Sequence, residues 1–367
     1  MSTTSFLSDA IDFAIVHEVG WPRDPAADPS RWGVHHEDPP PYNGLRGPVH
    51  PRGGVSGVIW RHGRELAAWG EPERADLTFS VAKTYLALLA GVAHGDGLLP
   101  DVDEPVLARV KGIGFEGEHN RAITWRHLLE QTSEWEGSCL GMPDTVDRWR
   151  VVSFDPRPQH AGKAGGAPAW GPKGGARPLR TPGSYWEYND VRINQLSLAL
   201  LHLFRRPLPE VFAERLMQPL GATSDWAWRG YDDAQVEIGG RRMTSVPGGT
   251  HWGGGVSIGA RDQARLGQLL LADGRHEGRA LLPADWVRRM REPCAIAPFY
   301  GWLMWLNPGG RTFPGASAQA SLMVGAGGHY IWIEPEFDAV IVVRWLDSAQ
   351  LAGFMARVRA GLVAIAA

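Results

Sequence analysis

The sequence predicts an α+β fold: an antiparallel sheet built from both ends of the chain and flanked by helices, with a mainly helical stretch inserted between the two ends. Three observations predict it. Strand-like segments at 300–306, 318–324, 330–333 and 339–345 follow one another through short connections, the pattern of an antiparallel meander. An early pair, Gly57 to Arg61 and Glu65 to Trp69, is separated only by His62-Gly63-Arg64 and reads as a hairpin able to join the same sheet. Residues 100–240, between the two, lean helical. The predicted organisation is a discontinuous sheet domain, 1–86 plus 241–367, enclosing a subdomain at 87–240.

The elements follow in order. Phe6, Leu7, Ala10, Ile11, Ala14 and Ile15 recur at helical spacing among acidic residues, so the chain opens with an amphipathic helix. Pro22 to Arg52, rich in proline, aspartate and histidine, reads as an irregular segment wrapping the surface. After the hairpin, Ala82, Leu86, Leu88, Leu89 and Val92 describe a largely buried helix over 80–94, which Gly95 and Gly97 end. Thr124 starts a capped helix, and Val191 to Phe204 is a strongly apolar one. Between them, Asp155 to Gly183 is crowded with Gly, Pro, Lys and Arg, and a loop of that length in a compact domain is a functional or mobile one. Helices at 260–271 and 349–365 bracket the late strands.

Composition narrows the function. The 367 residues are 44% hydrophobic and 21% charged, in the range of soluble globular proteins with a substantial core. A formal charge of −3 and the lack of any basic stripe argue against nucleic acid as partner. No apolar run is long enough to span a bilayer and the N-terminus has no basic region ahead of its apolar residues, so a cytoplasmic location and no membrane partner are expected. Cys139 and Cys294 lie in no C-x-x-C context and read as reduced thiols. The run His35-His36-Glu37-Asp38 has neither a helix to set its spacing nor a second cluster to complete a shell, so no metal and no cofactor are expected.

The chemistry-bearing feature is Ser80-Val81-Ala82-Lys83, placed where a β-like segment gives way to a helix. Positions i and i+3 share a helix face, so the Ser80 hydroxyl and the Lys83 amine would stand side by side as nucleophile and base. Serine is also a favoured helix N-cap, which is the structural alternative for Ser80. Gly255-Val256-Ser257-Ile258-Gly259 satisfies the G-x-S-x-G elbow, but no buried strand is apparent before it and no βαβ alternation surrounds it. Ser257 is therefore read as leading into the helix at 260.

Three separated segments line up in order: Phe79 to Lys83, Pro182 to Asp190 through Tyr188, and Val324-Gly325-Ala326-Gly327-Gly328. With them the chain resembles the penicillin-recognising serine hydrolases, within which it is similar to class C β-lactamase-related esterases and 6-aminohexanoate-dimer hydrolases. The similarity covers about residues 50–347 and includes Ile123 to Leu129, Pro219-Leu220-Gly221, and Trp252 to Gly255 running into Ala260 to Arg265. It implies a β-lactamase/transpeptidase-like fold and acylation of Ser80, with Lys83 and Tyr188 sharing a proton. Which of the two is the acylation base stays open. It further implies an oxyanion hole of the Ser80 and Ala326 amides.

Two departures bear on substrate. Asp190 stands where the family usually has Asn, and a carboxylate cannot donate to a substrate carbonyl. Met323-Val324-Gly325 offers no cation where penicillin-directed members carry one. Both favour a small ester or unstrained amide over a β-lactam, with β-lactamase, D-Ala-D-Ala carboxypeptidase or acyltransferase activity as alternatives. Asp190, Gly325, Gly327 and His329 are candidate substrate-binding positions. Among the 17 tryptophans, Trp135, Trp170, Trp186 and Trp252 fall near segments that should border the cleft. In 6-aminohexanoate-dimer hydrolases the loop before the tyrosine closes over substrate, which makes 155–183 a lid candidate. A homo-oligomer is compatible with this reading.

Overall fold

The computed structural model describes residues 6–155 and 171–366. Its main sheet has six strands: β1 (Ser56–Arg61), β2 (Arg64–Trp69), β3 (Trp305–Leu306), β4 (Ser321–Gly325), β5 (His329–Glu334) and β6 (Ala339–Arg344). Their order across the sheet is β3-β4-β5-β6-β1-β2, with every neighbouring pair antiparallel. The early hairpin therefore docks on the last strand of the late meander, with Val58 opposite Val342. β5 and β6 are buried along their whole length, which explains why His329-Tyr330-Ile331-Trp332-Ile333 and Ala339-Val340-Ile341-Val342-Val343 are apolar without alternation.

Five main helices surround the sheet: α1 (Ser8–Val16), α2 (Val81–Gly95), α3 (Asp190–Phe204), α4 (Ala260–Leu271) and α5 (Leu351–Ala366). α4 lies on β1, β5 and β6, α1 packs on α5, and α2 packs between β4, β5 and α3. Every residue of α2 from Val81 to Ala93 is buried, so the helix has no polar face and Lys83 sits inside the protein. Among the described residues no helix is long and apolar enough to cross a membrane.

The structure differs from the sequence reading in three places. The segment 300–306 is not one strand: Leu303 has a φ of +52° and the Gly301 N–H bonds the Met304 carbonyl, so a tight turn leaves only β3 in the sheet. Gly255–Ile258 is itself a short buried strand, paired with Asp76–Leu77 and Ala227–Arg229 before α4 begins. Between α2 and α4, α3 is the long helix; the rest is a shorter helical stretch, Leu208–Phe212 running into Ala213–Met217, with one-turn helices, irregular connections and small hairpins such as Gln235–Ile238 with Arg241–Thr244.

Candidate active site

Ser80 precedes the first residue of α2, and the chain enters it under strain. Phe79 has a φ of +51°, a left-handed conformation that costs a side-chain-bearing residue on the order of 1 kcal/mol. Three contacts hold it there. The Thr78 N–H and hydroxyl both bond the Val256 carbonyl, at 2.8 and 3.1 Å, which ties the approach to the Gly255–Ile258 strand. The Phe79 ring is caged by Trp21, Trp32 and Trp345, with centroids 5.5 to 6.2 Å away. β4 runs against the same backbone, because a Cβ on Gly325 would stand 2.1 Å from the Thr78 carbonyl oxygen.

Ser80 occupies the N-cap position, yet its side chain makes no capping hydrogen bond. Its hydroxyl instead accepts from Lys83 Nζ at 2.7 Å. Lys83 is buried, and burial of an unpaired ammonium would be prohibitive. Its counter-ion is Asp190, the first residue of α3, with Oδ1 at 2.5 Å. Asn189 caps α3 by accepting from the Arg192 N–H at 3.2 Å, which leaves Asp190 free to turn inward. The Tyr188 ring completes the set, its centroid 4.5 Å from Lys83 Nζ and 5.1 Å from the Arg150 guanidinium carbon.

Below these groups lies a buried ionic cluster. Asp190 Oδ2 is 2.9 Å from Arg150 Nη1 and 3.4 Å from His251 Nδ1. His251 Nε2 is 2.8 Å from Asp38 Oδ2, Arg150 bonds Asp147 at 3.0 Å, and Lys173 pairs with Asp38 and lies 3.5 Å from Asp147. Burial alone would raise the Asp190 carboxyl, but the charges of Arg150 and Lys83 and the contact with His251 outweigh it and hold it well below the usual carboxylate range. Asp38 is likewise lowered by His251 and Lys173 against the effect of burial. Asp38, Asp147 and His251 bring potential metal-ligand atoms within 4.8 Å of one another, and the Lys173 ammonium supplies a cation to that group from the protein itself.

Above Ser80 opens a cavity of about 360 Å³. Ser80, Tyr188, Arg150, Gly325, Ala326 and Gly327 line it, together with Trp21, Val34, Phe154 and Trp305. Among the described residues, no hydrogen bond within the protein consumes the amides of Ser80 or Ala326.

The structure thus brings Ser80, Lys83, Tyr188, Gly325, Ala326 and Gly327 to one place, and puts the other candidates elsewhere. Asp190 lies beneath Lys83 and does not face the cavity. His329 is buried behind Phe79 and against Trp345; burial, then the nearby charges of Arg344 and Arg52, hold it well below the usual imidazole range and therefore neutral. Trp186 stands in a second layer, edge-on to Phe299 and Tyr300. Trp252 packs on His251 and donates from Nε1 to Asp38 at 2.8 Å. Trp135 is remote from the cavity and bonds the Gly114 carbonyl at 2.9 Å. Trp170 and residues 156–170 of the lid candidate lie outside the described residues, while Arg177 and Lys173 anchor the end of that loop to Glu134 and Asp38.

Arg150, Asp38, His251 and the wall residues Trp21, Phe154 and Trp305 were not anticipated. One signal could have found the first three: an aspartate at the usual asparagine position, next to a buried lysine, requires further compensating charge. The opening helix stands where its spacing predicts it, but Pro22 to Arg52, read as a segment wrapping the surface, sends Trp32, Asp38 and Arg52 into the interior.

A family model described as Beta-lactamase matches residues 46–346. No curated protein matches the chain. Among solved structures, EstCE1, described as a hydrolase with promiscuous acyltransferase activity, is 16% identical, with 98% of this chain and 97% of that one covered and a TM-score of 0.57. A D-stereospecific amidohydrolase from Streptomyces sp. is 18% identical over 81% of this chain and 92% of its own, with a TM-score of 0.52. The octameric penicillin-binding protein homologue from Pyrococcus abyssi is 17% identical over 84% and 73%, with a TM-score of 0.57. At these identities the structures establish the fold, and the family match over most of the chain establishes the lineage: the protein belongs to the beta-lactamase family.

Proposed function

We propose that the protein is a serine hydrolase that cleaves ester or unstrained amide bonds through a covalent acyl-enzyme on Ser80. The observation that carries this reading is the Ser80 hydroxyl, which forgoes the helix cap and takes a hydrogen bond from a buried lysine at the floor of a cavity. In the acylation step, Ser80 Oγ bonds the acyl carbon as its proton passes to the Lys83–Tyr188 pair. The bond from the acyl carbon to the leaving oxygen or nitrogen then breaks, and that atom takes the proton. Water repeats the sequence and frees Ser80. The Ser80 and Ala326 amides are the proposed oxyanion donors.

Preference for esters and unstrained amides rests on the uncharged Met323-Val324-Gly325 and on Asp190, which is engaged by Lys83 and Arg150 and so has no donor for a substrate carbonyl. The apolar part of the wall, from Trp21, Phe154 and Trp305, suits an acyl chain. Transfer to an added alcohol or amine is the second reading, favoured by the full-length similarity to EstCE1. Intact-mass measurement against p-nitrophenyl butyrate, an anilide and a penicillin, repeated on Ser80→Ala, tests the proposal. A Ser80-dependent mass gain from the ester is expected; faster acylation by the penicillin would overturn the preference, and a gain that persists in Ser80→Ala would overturn the nucleophile. Product analysis with added alcohol separates transfer from hydrolysis.

A further inference from the structure

Among the described residues, the lining of the cavity above Ser80 includes two charged side chains, Glu37 and Arg150, and only the cation is compensated. Arg150 bonds Asp147 at 3.0 Å and lies 2.9 Å from Asp190, so its charge is balanced within the protein. Glu37 ends the one-turn helix His35–Glu37, is exposed, and has no ion pair or side-chain hydrogen bond among the described residues. His35 does not neutralise it: burial, then the nearby His36 and His251, hold that imidazole down at about 4. The cavity therefore presents one unbalanced charge, and it is negative.

The aromatic part of the lining suits a ligand of the opposite sign. The Tyr188 ring is already taken by two protein cations, Lys83 and Arg150, at 4.5 and 5.1 Å from its centroid. Among the described residues no protein cation stands over Trp21, Phe154, Trp305 or Tyr330, which share the cavity. Phe154 meets Trp305 at 68° and Tyr330 at 84°, with centroids 5.6 and 6.3 Å away, so these rings form corners and not a flat stack. Trp21 reaches in from the N-terminal segment against β4, since a Cβ on Gly327 would stand 2.9 Å from its ring. Aromatic faces attract alkylammonium groups through the ring quadrupole, and several rings around one cation form the usual receptor for such groups.

Given Ser80 as nucleophile, on which this inference rests, we propose that the cavity selects esters or amides bearing an alkylammonium group, with Glu37 as the specificity-determining residue. The methyl surface of the cation packs on the unclaimed aromatic faces, and Glu37 balances its charge. Substrates bearing a carboxylate are disfavoured, because Arg150 is already saturated and Glu37 repels them. Glu37 acts on recognition alone and takes no part in bond making. Trp21 and Glu37 both precede residue 46, so this selectivity comes from a part of the chain that the family model does not match.

The test compares kcat/KM within two matched pairs at about pH 8, where imidazoles of ordinary pKa are neutral. Butyrylcholine against its isostere with carbon in place of nitrogen puts the charge on the leaving alcohol. The p-nitrophenyl ester of trimethylammoniobutyrate against its carbon isostere puts the charge on the acyl group. The cationic member of at least one pair is expected to be favoured by about fivefold to tenfold at low salt, less as ionic strength rises, and the pair that responds identifies the side recognised. Glu37→Gln is expected to lower that ratio by about threefold or more, and Glu37→Lys to invert it. Each ratio is taken on one preparation, so it does not depend on how much of a variant is correctly folded. Ratios near one in both pairs, or a preference that Glu37→Gln and Glu37→Lys leave unchanged, would overturn the proposal. Binding of phenyltrimethylammonium, followed by tryptophan fluorescence in the wild type and Glu37→Gln, separates the two levels. Glu37-dependent binding without acylation of Ser80 by any of the esters sinks the hydrolase reading and keeps the cation site, whereas acylation with ratios near one sinks only the cation site.

Discussion

Two buried ionic clusters flank the start of α3, and they are built differently. The first, away from the cavity, joins Glu134, Glu187 and Asp144 to Arg177, Arg192 and Arg148. It is made of guanidinium forks: Arg177 places two nitrogens on the two Glu134 oxygens at 2.6 Å each, and Arg148 bonds both Asp144 oxygens at 2.8 and 3.2 Å. The second, under Ser80, contains both buried lysine contacts and a histidine. There, neither Asp190 oxygen, nor Asp147 Oδ1, nor His251 Nδ1 has a well-directed hydrogen bond within the described residues. A planar fork saturates a carboxylate and fixes it. Point-charge ammonium groups leave acceptor capacity, and in this molecule that looser arrangement is the one beneath Ser80.

This division of labour can be broken by experiment. The largest effect is expected at the edge of the looser cluster: Ser80→Ala should lower ester turnover by about 10⁴-fold or more, with thermal stability almost unchanged. Measurement of kcat and of the unfolding midpoint on one preparation checks both halves. Tyr188→Phe should follow, with kcat down by about 10² to 10⁴ and KM little changed, since the ring remains and only the proton carrier is lost. A matched fall in kcat and rise in KM would instead point to damaged binding.

The fork cluster should respond through stability. Burial would raise the Glu134 carboxyl, but the Arg177 bonds, the Arg192 charge and the Arg180 N–H hold it at about 2. Because this folded value lies below the ordinary 4.5, its stabilisation is fully present above about pH 4.5 and is lost as pH falls toward 2. Glu134→Gln should therefore cost about 3 kcal/mol at pH 7 and progressively less in acid, read from denaturant unfolding at several pH values. Arg177→Lys is expected to have the smallest effect, about 1–2 kcal/mol, because one ammonium replaces a fork. Its pH–rate profile should coincide with that of the wild type; a displaced profile would erase the distinction between the clusters.

The sheet was legible because its strands announce themselves locally. β5 and β6 are unbroken apolar runs, and His62-Gly63-Arg64 marks the turn of the hairpin. The turn at Leu303 was not legible, because its positive φ falls on a residue that gives no turn signal. At the site, Ser80 and Lys83 could be paired from helix spacing alone, and Tyr188 and the 325–327 glycines from their resemblance to family motifs. Tryptophans chosen for nearness in sequence to those motifs divided among a second layer, the charge cluster and a distant loop, since sequence proximity does not fix the direction of a side chain. Asp38 and Arg150 were hidden for a simpler reason. Each reaches the cluster from an irregular segment with no periodicity to reveal which residues point inward.

The cage around Phe79 and the anchor at Asp38 both draw on residues ahead of position 46, where the family pattern begins. The packing around Ser80 therefore extends beyond the family boundaries. A polypeptide trimmed to them would keep all three residues of the Ser80, Lys83 and Tyr188 set, while losing the Trp21 and Trp32 walls of the Phe79 cage and the Asp38 carboxylate. Anyone transplanting the surroundings of Ser80 onto a related scaffold would have to carry the N-terminal belt along to reproduce this packing.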